Sequence, residues 1–217
     1  MNFLKTHTTS QTQNRRAFTL VEMLVVIAII AIVAGLIVGL AGRAATARTN
    51  SRMKAELAQL ETAIESYRAT MGFYPPDNTN DVAKPPLFYE LTGTTPTNIG
   101  GTRFFQTIKG DERISQADVL SHFRRQGFAN SNPEDSKNFF PNLRKEHYRE
   151  ISTSPDVELL VVPFPGPNDI ASPDPSNPKP INPWRYNSSN PTRNPGKFDL
   201  WAEVIVGGKT NTYGNWK

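Results

Sequence analysis

Two residues near the start of the chain, Ala17 and Glu22, have types and positions that could support chemistry. Ala17 is the only small residue in a plausible cleavage position, and it follows Arg15 and Arg16 in a polar, basic leader. Glu22 is a single carboxylate in the apolar run that begins directly after Ala17. A charge in such a run is costly and normally has a functional reason. These positions predict cleavage before the run and a carboxylate that needs a positive partner.

The apolar run is long enough to cross a membrane. Residues 23–42 are twenty residues without a charge, which form a helix of about 30 Å, the thickness of the hydrocarbon core. An ordinary secretory signal places its apolar stretch before the cleavage site and loses it on maturation. Cleavage after Ala17 would instead leave the apolar helix on the mature chain, which predicts a single-pass membrane protein.

Residues 17–24, Ala-Phe-Thr-Leu-Val-Glu-Met-Leu, resemble the cleavage and methylation segment of type IV prepilins and type II secretion pseudopilins. The family pattern is Gly-Phe-Thr-Leu-(Val/Ile)-Glu before an apolar helix, and Ala17 replaces its glycine. The resemblance implies that a prepilin peptidase cuts between Ala17 and Phe18 and methylates the Phe18 amine. Glu22 is then expected to act in filament assembly, paired with the Phe18 amine of an adjacent subunit. A plain signal anchor with an incidental glutamate is the alternative.

Charge excludes some partners. The chain has 24 basic and 20 acidic residues, and removal of the leader with Lys5, Arg15 and Arg16 leaves 21 basic residues. A nearly neutral mature chain gives nucleic-acid binding no electrostatic support. Basic residues lie on both sides of the apolar run, so charge alone does not decide its orientation. The resemblance places the run in the inner membrane and the remaining chain in the periplasm or outside.

A second pattern predicts that the helix continues beyond residue 42. Apolar residues recur at spacings of four and three through residues 43–71, which is typical of a helix face packed on a domain. They are Met53, Leu57, Leu60, Ile64, Tyr67 and Met71. Gly72 and the following prolines predict the helix end, so the helix has about fifty residues. A short coiled-coil seam is the alternative.

Four short motifs beyond the helix resemble the major (G-type) pseudopilins of type II secretion. Gly72-Phe73-Tyr74-Pro75 resembles the end of their long helix, and Asn182-Pro183-Trp184 resembles their Asp-Pro-Trp. Residues 194–201 resemble their (Pro-Gly)…Tyr-Asp-(Ile/Leu)-Tyr strand, and Gly214-Asn215-Trp216 matches their Gly-Asn-Trp. Residues from about 85 to 180 have no counterpart, which predicts an insertion.

Local patterns in the insertion predict little regular structure. Ser115 and Asp118 have the spacing of a capping box and predict a helix that extends to about residue 126. Residues 157–162 are rich in valine and leucine and predict a strand. Residues 163–195 hold ten prolines and predict a long loop.

Residues 198–206 predict the best strand, followed by a hairpin turn at Gly207-Gly208 and a return strand over 210–216. The predicted fold is therefore α+β and pilin-like: one long N-terminal helix packed on a small antiparallel sheet with long Pro-rich loops. The predicted domains are the leader (1–17), the membrane and assembly half of the helix (18–42), its soluble half (43–71) and the globular domain (72–217).

Several candidate chemistries are absent from the sequence. A phosphate-binding loop at residues 208–210 would need a glycine where Glu203 stands. Only His122 and His147 remain after removal of the leader, far apart in a chain without cysteine, so neither a zinc site nor a Cys–His pair is indicated. We therefore predict that the protein is not an enzyme.

Calcium is the remaining cofactor to consider, because major pseudopilins usually bind it between their last strands. Calcium prefers six to eight oxygen ligands, several of them carboxylates. The resembling loop here, residues 206–214, has no carboxylate and contains Lys209. Asp199 matches the Asp of the family's strand rather than a loop ligand. We predict no metal and no cofactor.

The sequence thus predicts a non-catalytic subunit of a pseudopilus or type IV pilus-like filament, and the resemblance favours type II protein secretion. Its expected partners are copies of itself, the prepilin peptidase, the inner-membrane assembly platform and the membrane, with no nucleic acid. The alternatives are a type IV pilus subunit and a membrane-anchored binding module outside the cytoplasm.

Overall fold

The computed structural model describes residues 18–153 and 156–216, with every side chain except those of residues 37–41, 43 and 153. Residues 1–17, and with them the predicted cleavage residue Ala17, lie outside the described residues. The chain divides into two compact units, with the boundary between Ala45 and Thr46. Helix α1, Leu20–Met71, begins in the first unit and ends in the second.

Helix α1 ends where the sequence predicts. Gly72 has a φ of +85°, and its N–H donates to the carbonyl of Arg68 at 2.8 Å, a left-handed helix end that favours glycine. The predicted apolar series joins the hydrophobic core of the second unit, with Leu57 and Met71 half-buried and the other members buried. The helix therefore packs on a domain rather than forming a coiled-coil seam.

In its described residues, the second unit holds two further α-helices, a short 3-10 helix at Lys145–His147 and nine strands. The α-helices are α2 (Leu87–Thr92) and α3 (Gln116–Phe123), and the strands are β1 (Thr94–Ile99), β2 (Thr102–Thr107), β3 (Arg113–Ser115), β4 (Tyr148–Thr153), β5 (Asp156–Val162), β6 (Asn182–Pro183), β7 (Arg185–Asn187), β8 (Asp199–Val206) and β9 (Lys209–Gly214). Among the described residues, the strands form three antiparallel sheets of three, in the orders β1-β2-β3, β4-β5-β6 and β7-β8-β9.

The α+β fold is confirmed, but the strands form three small sheets rather than one. The segment predicted as an insertion is also more than a decoration, because it supplies more than half of the buried apolar side chains in the core cluster. Every residue of α2 is buried. This short helix therefore lacks the alternation of apolar and polar faces by which a helix is recognised in a sequence.

The predicted hairpin is confirmed as β8 and β9. Gly207 and Gly208 have φ values of +59° and +77°, which suit a tight turn between twisted strands. The β9 strand is tied to α1 by the hydroxyl of Tyr213, which donates to the side chain of Asn50. These two residues are 163 positions apart in the chain.

The Pro-rich stretch 163–195 is not entirely loop, because it contains β6 and β7. Pro183 lies in β6, which pairs only with β5 among the described strands. A proline is tolerated there because a strand with one neighbour needs fewer N–H donors.

Helix α3 is capped as predicted but is shorter. The N–H of Asp118 donates to the Ser115 hydroxyl at 3.2 Å, which confirms the predicted N-cap. The Asp118 carboxylate accepts from that hydroxyl and not from the backbone of Ser115. The helix ends at Phe123 rather than near residue 126, because Arg124 adopts a left-handed conformation with a φ of 57°.

A buried carboxylate in the β4–β5 pair gives the fold a pH dependence. Glu158 is only 5% exposed and lies opposite Glu150, with Lys145 Nζ at 3.8 Å from its Oε1. Burial, reinforced by the charge of Glu112, raises the pKa of Glu158 to about 8, and Lys145 opposes this shift. As pH rises from 4.5 to about 8, the Glu158 carboxyl ionises in the unfolded chain before it ionises in the folded protein. The free energy of unfolding therefore falls over this pH range.

We therefore expect Glu158→Gln to raise the melting temperature at pH 8 by several degrees and to have a smaller effect at pH 5. In a domain of this size about 1 kcal/mol corresponds to about 2–4 °C. Thermal unfolding at both pH values measures the difference, with Glu134→Gln, an exposed loop substitution, as the control. An equal gain at the two pH values would contradict the assignment.

Candidate functional site

The first turn of α1 is closed by Thr19 and Glu22. The Thr19 hydroxyl accepts from the N–H of Glu22 at 3.2 Å. Glu22 Oε2 in turn accepts from the backbone N–H and the hydroxyl of Thr19, both at 2.8 Å. This reciprocal arrangement is a capping box, which satisfies donors that a helix start leaves free. The Thr-x-x-Glu spacing signals it, although it was not among the sequence predictions.

The structure thus places two predicted site residues, Phe18 and Glu22, at one helix start. Phe18 is 75% exposed and Leu20 is 80% exposed, and all described side chains from residue 18 to residue 36 are exposed. A continuous exposed apolar surface of this kind marks an association surface.

In the part of the chain that the structure describes, no helix combines the length and apolarity required for a membrane span.

In the second unit, the Gly214-Asn215-Trp216 motif closes the start of β8. The Asn215 side chain accepts from the N–H of Leu200 and donates to the carbonyl of Phe198, both at 2.9 Å. The Trp216 ring lies 5.8 Å from that of Trp201. A Cβ on Gly214 would lie 2.7 Å from the Trp216 ring, so a larger residue there would displace the folded-back tryptophan.

The Asn182-Pro183-Trp184 motif connects two sheets. Asn182 Nδ2 donates to the carbonyl of Phe164 at 3.0 Å and to the carbonyl of Glu203 at 2.7 Å. Trp184 is buried, and its N–H donates to the carbonyl of Leu160 at 3.0 Å. Both motifs therefore have structural roles in the described contacts.

Asp199 is buried at the start of β8, where it holds a loop through backbone donors. Its Oδ2 accepts from the N–H of Thr192 at 2.7 Å and of Arg193 at 2.9 Å, and its Oδ1 accepts from the N–H of Asn194 at 2.8 Å. Among the described residues, no three His, Cys, Asp or Glu side chains group closely enough to hold a metal ion.

We expect calcium chelation to leave the melting temperature of the full chain in detergent unchanged. The β8–β9 loop has no carboxylate, and the Asp199 oxygens already accept backbone hydrogen bonds. A bound ion at a hundredfold excess over its dissociation constant would add about 3 kcal/mol to stability. Thermal unfolding with calcium and with a chelator measures this, and a shift of several degrees would contradict the prediction.

Comparison with known proteins identifies the N-terminal segment. Residues 12–38 match the family described as the prokaryotic N-terminal methylation motif. The match covers Ala17, Phe18 and Glu22, and it supports a type IV pilin-like subunit that is processed as a prepilin. It also supports a membrane-anchored N-terminal segment, in a class of proteins that is structural rather than enzymatic. Comparisons with curated proteins and with solved structures found no match.

Proposed function

We propose that this chain is a filament subunit of a type II secretion pseudopilus, stored in the inner membrane with its second unit in the periplasm. The observation that carries the proposal is the methylation motif at residues 12–38, which ends in an exposed apolar helix. The folded second unit begins at Thr46, within the same helix. Its partners are the prepilin peptidase, the inner-membrane assembly platform and other copies of the chain.

Processing would prepare the assembly contact. Cleavage between Ala17 and Phe18 turns an amide nitrogen into an amine, which is methylated and remains positive at neutral pH. In the single chain, Glu22 Oε2 accepts only from Thr19 among the described donors. In a filament the apolar helices enclose this carboxylate, and the Phe18 amine of a neighbouring subunit would neutralise it.

The pseudopilus is favoured over a type IV pilus by the second unit. The Asn-Pro-Trp and Gly-Asn-Trp motifs resemble those of major pseudopilins, and each makes specific structural contacts here. A type IV pilus subunit shares the N-terminal segment but does not usually have these motifs. A membrane-anchored binding module remains the alternative from another class, and it need not leave the membrane.

Mass spectrometry of a sheared surface fraction tests the proposal. We expect a chain that begins at Phe18 and carries one added methyl group, while a strain without the peptidase retains the leader. Ala17→Gly should be processed at least as fast, because the site prefers the smallest side chain. A wild-type chain that retains Arg15 and Arg16, or that is absent from the sheared fraction, would overturn the filament assignment.

A further inference from the structure

An open depression of about 600 Å³ in the second unit is lined by three arginines. Arg103 lies on β2, and Arg124 and Arg125 directly follow α3. We call this depression the arginine groove. No aspartate or glutamate is among the described residues that line it, so its three positive charges face no acidic side chain within the groove.

These arginines also lack ion-pair partners elsewhere in the described chain. The Arg103 guanidinium lies 5.5 Å from the centre of the Phe105 ring. Arg125 Nε is buried without a hydrogen-bond partner among the described residues. Burial raises the pKa of the Glu90 carboxyl, and the hydrogen bonds it accepts and, last, the charge of Arg125 oppose this shift.

The loop that presents Arg124 and Arg125 is fixed in place. Among the described residues, Arg124 is the only residue other than glycine with a positive φ, and such conformations cluster at functional sites. A Cβ on Gly127 would lie 2.7 Å from the Phe105 ring, so this loop packs tightly on β2. Glu90 accepts from the N–H groups of Ala129 and Asn130 at 2.9 and 3.0 Å. A groove held in this way needs little ordering when a ligand binds.

We propose that the arginine groove binds the carboxylate groups of an acidic polysaccharide. The planar guanidinium group matches a carboxylate with two parallel hydrogen bonds. The amides of Gln116 and Gln126 also line the groove, and amides suit sugar hydroxyl groups. The volume lies within the usual range for ligand sites, about 300–1,000 Å³.

Two other polymers fit the groove less well. Its aromatic residues, Phe105 and Phe128, are 2% and 5% exposed, so they offer no platform for stacking nucleic-acid bases. The same burial leaves no exposed aromatic anchor, and aromatic side chains are among the residue types that dominate binding between proteins. The inference is independent of the proposed function, because it does not involve the N-terminal segment.

Binding to polygalacturonate, a carboxylated polysaccharide, tests the inference, with the full chain in detergent and neutral dextran as the negative probe. We expect polygalacturonate to bind at low salt, to bind more weakly at 0.5 M salt because exposed charges are screened, and neutral dextran not to bind. Arg103→Gln combined with Arg124→Gly should raise the dissociation constant about tenfold or more. Glycine accepts the left-handed conformation at position 124, so this variant should fold.

Arg113→Gln is the matched control. The Arg113 guanidinium lies 5.4 Å from the centre of the Phe104 ring, much as the Arg103 guanidinium lies over Phe105. Arg113 does not line the groove. This variant should bind as the unaltered chain does. Failure of the unaltered chain to bind polygalacturonate, equal binding of neutral dextran, or equal losses in the Arg113 and Arg103 variants would overturn the proposal. Tighter binding of a single-stranded oligonucleotide, lost in the groove variant, would also overturn the assignment to a polysaccharide.

Discussion

A strain whose only copy carries Glu22→Gln is expected to process the chain normally and to assemble about a hundredfold fewer filaments. In the proposed filament, Glu22 would neutralise the Phe18 amine of an adjacent subunit within enclosing apolar helices. A buried charge left without its partner costs about 3–5 kcal/mol, and about 1.4 kcal/mol is a tenfold change. Filament number by electron microscopy and N-terminal mass by spectrometry measure the two effects.

The capping box supplies a matched control for this prediction. Glutamine at position 22 keeps an acceptor for the Thr19 donors and removes only the charge. Thr19→Ala does the opposite, because it removes the hydroxyl contacts with Glu22 and keeps the carboxylate, at a cost of about 1 kcal/mol. Glu22→Ala removes both and should assemble no better than Glu22→Gln.

The outcomes separate two roles for Glu22. Normal filaments from Glu22→Gln would show that the residue only caps a helix, where the dipole favours it by under about 1 kcal/mol. Equal defects in Thr19→Ala and Glu22→Gln would show that assembly needs the cap rather than the charge. Either result would contradict the proposed pairing with Phe18.

Glu90→Ala is expected to destabilise the second unit by about 3–5 kcal/mol. Glu90 is fully buried, and its oxygens accept from the Tyr67 hydroxyl at 2.9 Å and from the N–H groups of Ala129 and Asn130. Alanine would leave these three donors without their acceptor, two of them in buried hydrogen bonds. Denaturant unfolding of the full chain in detergent, followed by circular dichroism, measures the change.

Two variants bracket this effect. Tyr67→Phe removes one of the three donors and should cost about 1 kcal/mol. Glu134→Ala, in an exposed loop, should change stability by less than about 0.5 kcal/mol. If Glu90→Ala were no more harmful than Tyr67→Phe, the backbone donors would not depend on this carboxylate.

The parts of the fold that follow from local pattern could be predicted from the sequence. Helix α1 repeats its apolar spacing over many turns, and Gly72 marks its end. The Gly207-Gly208 turn was predicted, yet the equivalent turn at Gly100-Gly101, with φ values of +58° and +81°, was not. The polar threonines of β1 lack the alternation that identifies a strand.

The buried acids and the arginine groove could not be predicted in this way. Glu90 is a single carboxylate among the apolar residues of α2, and its donors come from residues 23 to 40 positions away. Arg103 and Arg124 share a groove only because α3 follows β3 and contacts β2. Such sites depend on contacts between residues far apart in the chain, and the spacing of residues along a local segment does not predict those contacts.

The hydrogen bond between Asn50 and Tyr213 has a consequence for the time course of folding. Helix α1 can form within microseconds because its contacts are local. Its contact with β9 joins residues 163 positions apart, and contacts of such separation form slowly, so the side of the helix that meets the hairpin remains open during that time. During that interval the uncovered face is a hazard for misassociation. Chaperones that bind exposed apolar helices would therefore act on this chain before its hairpin closes.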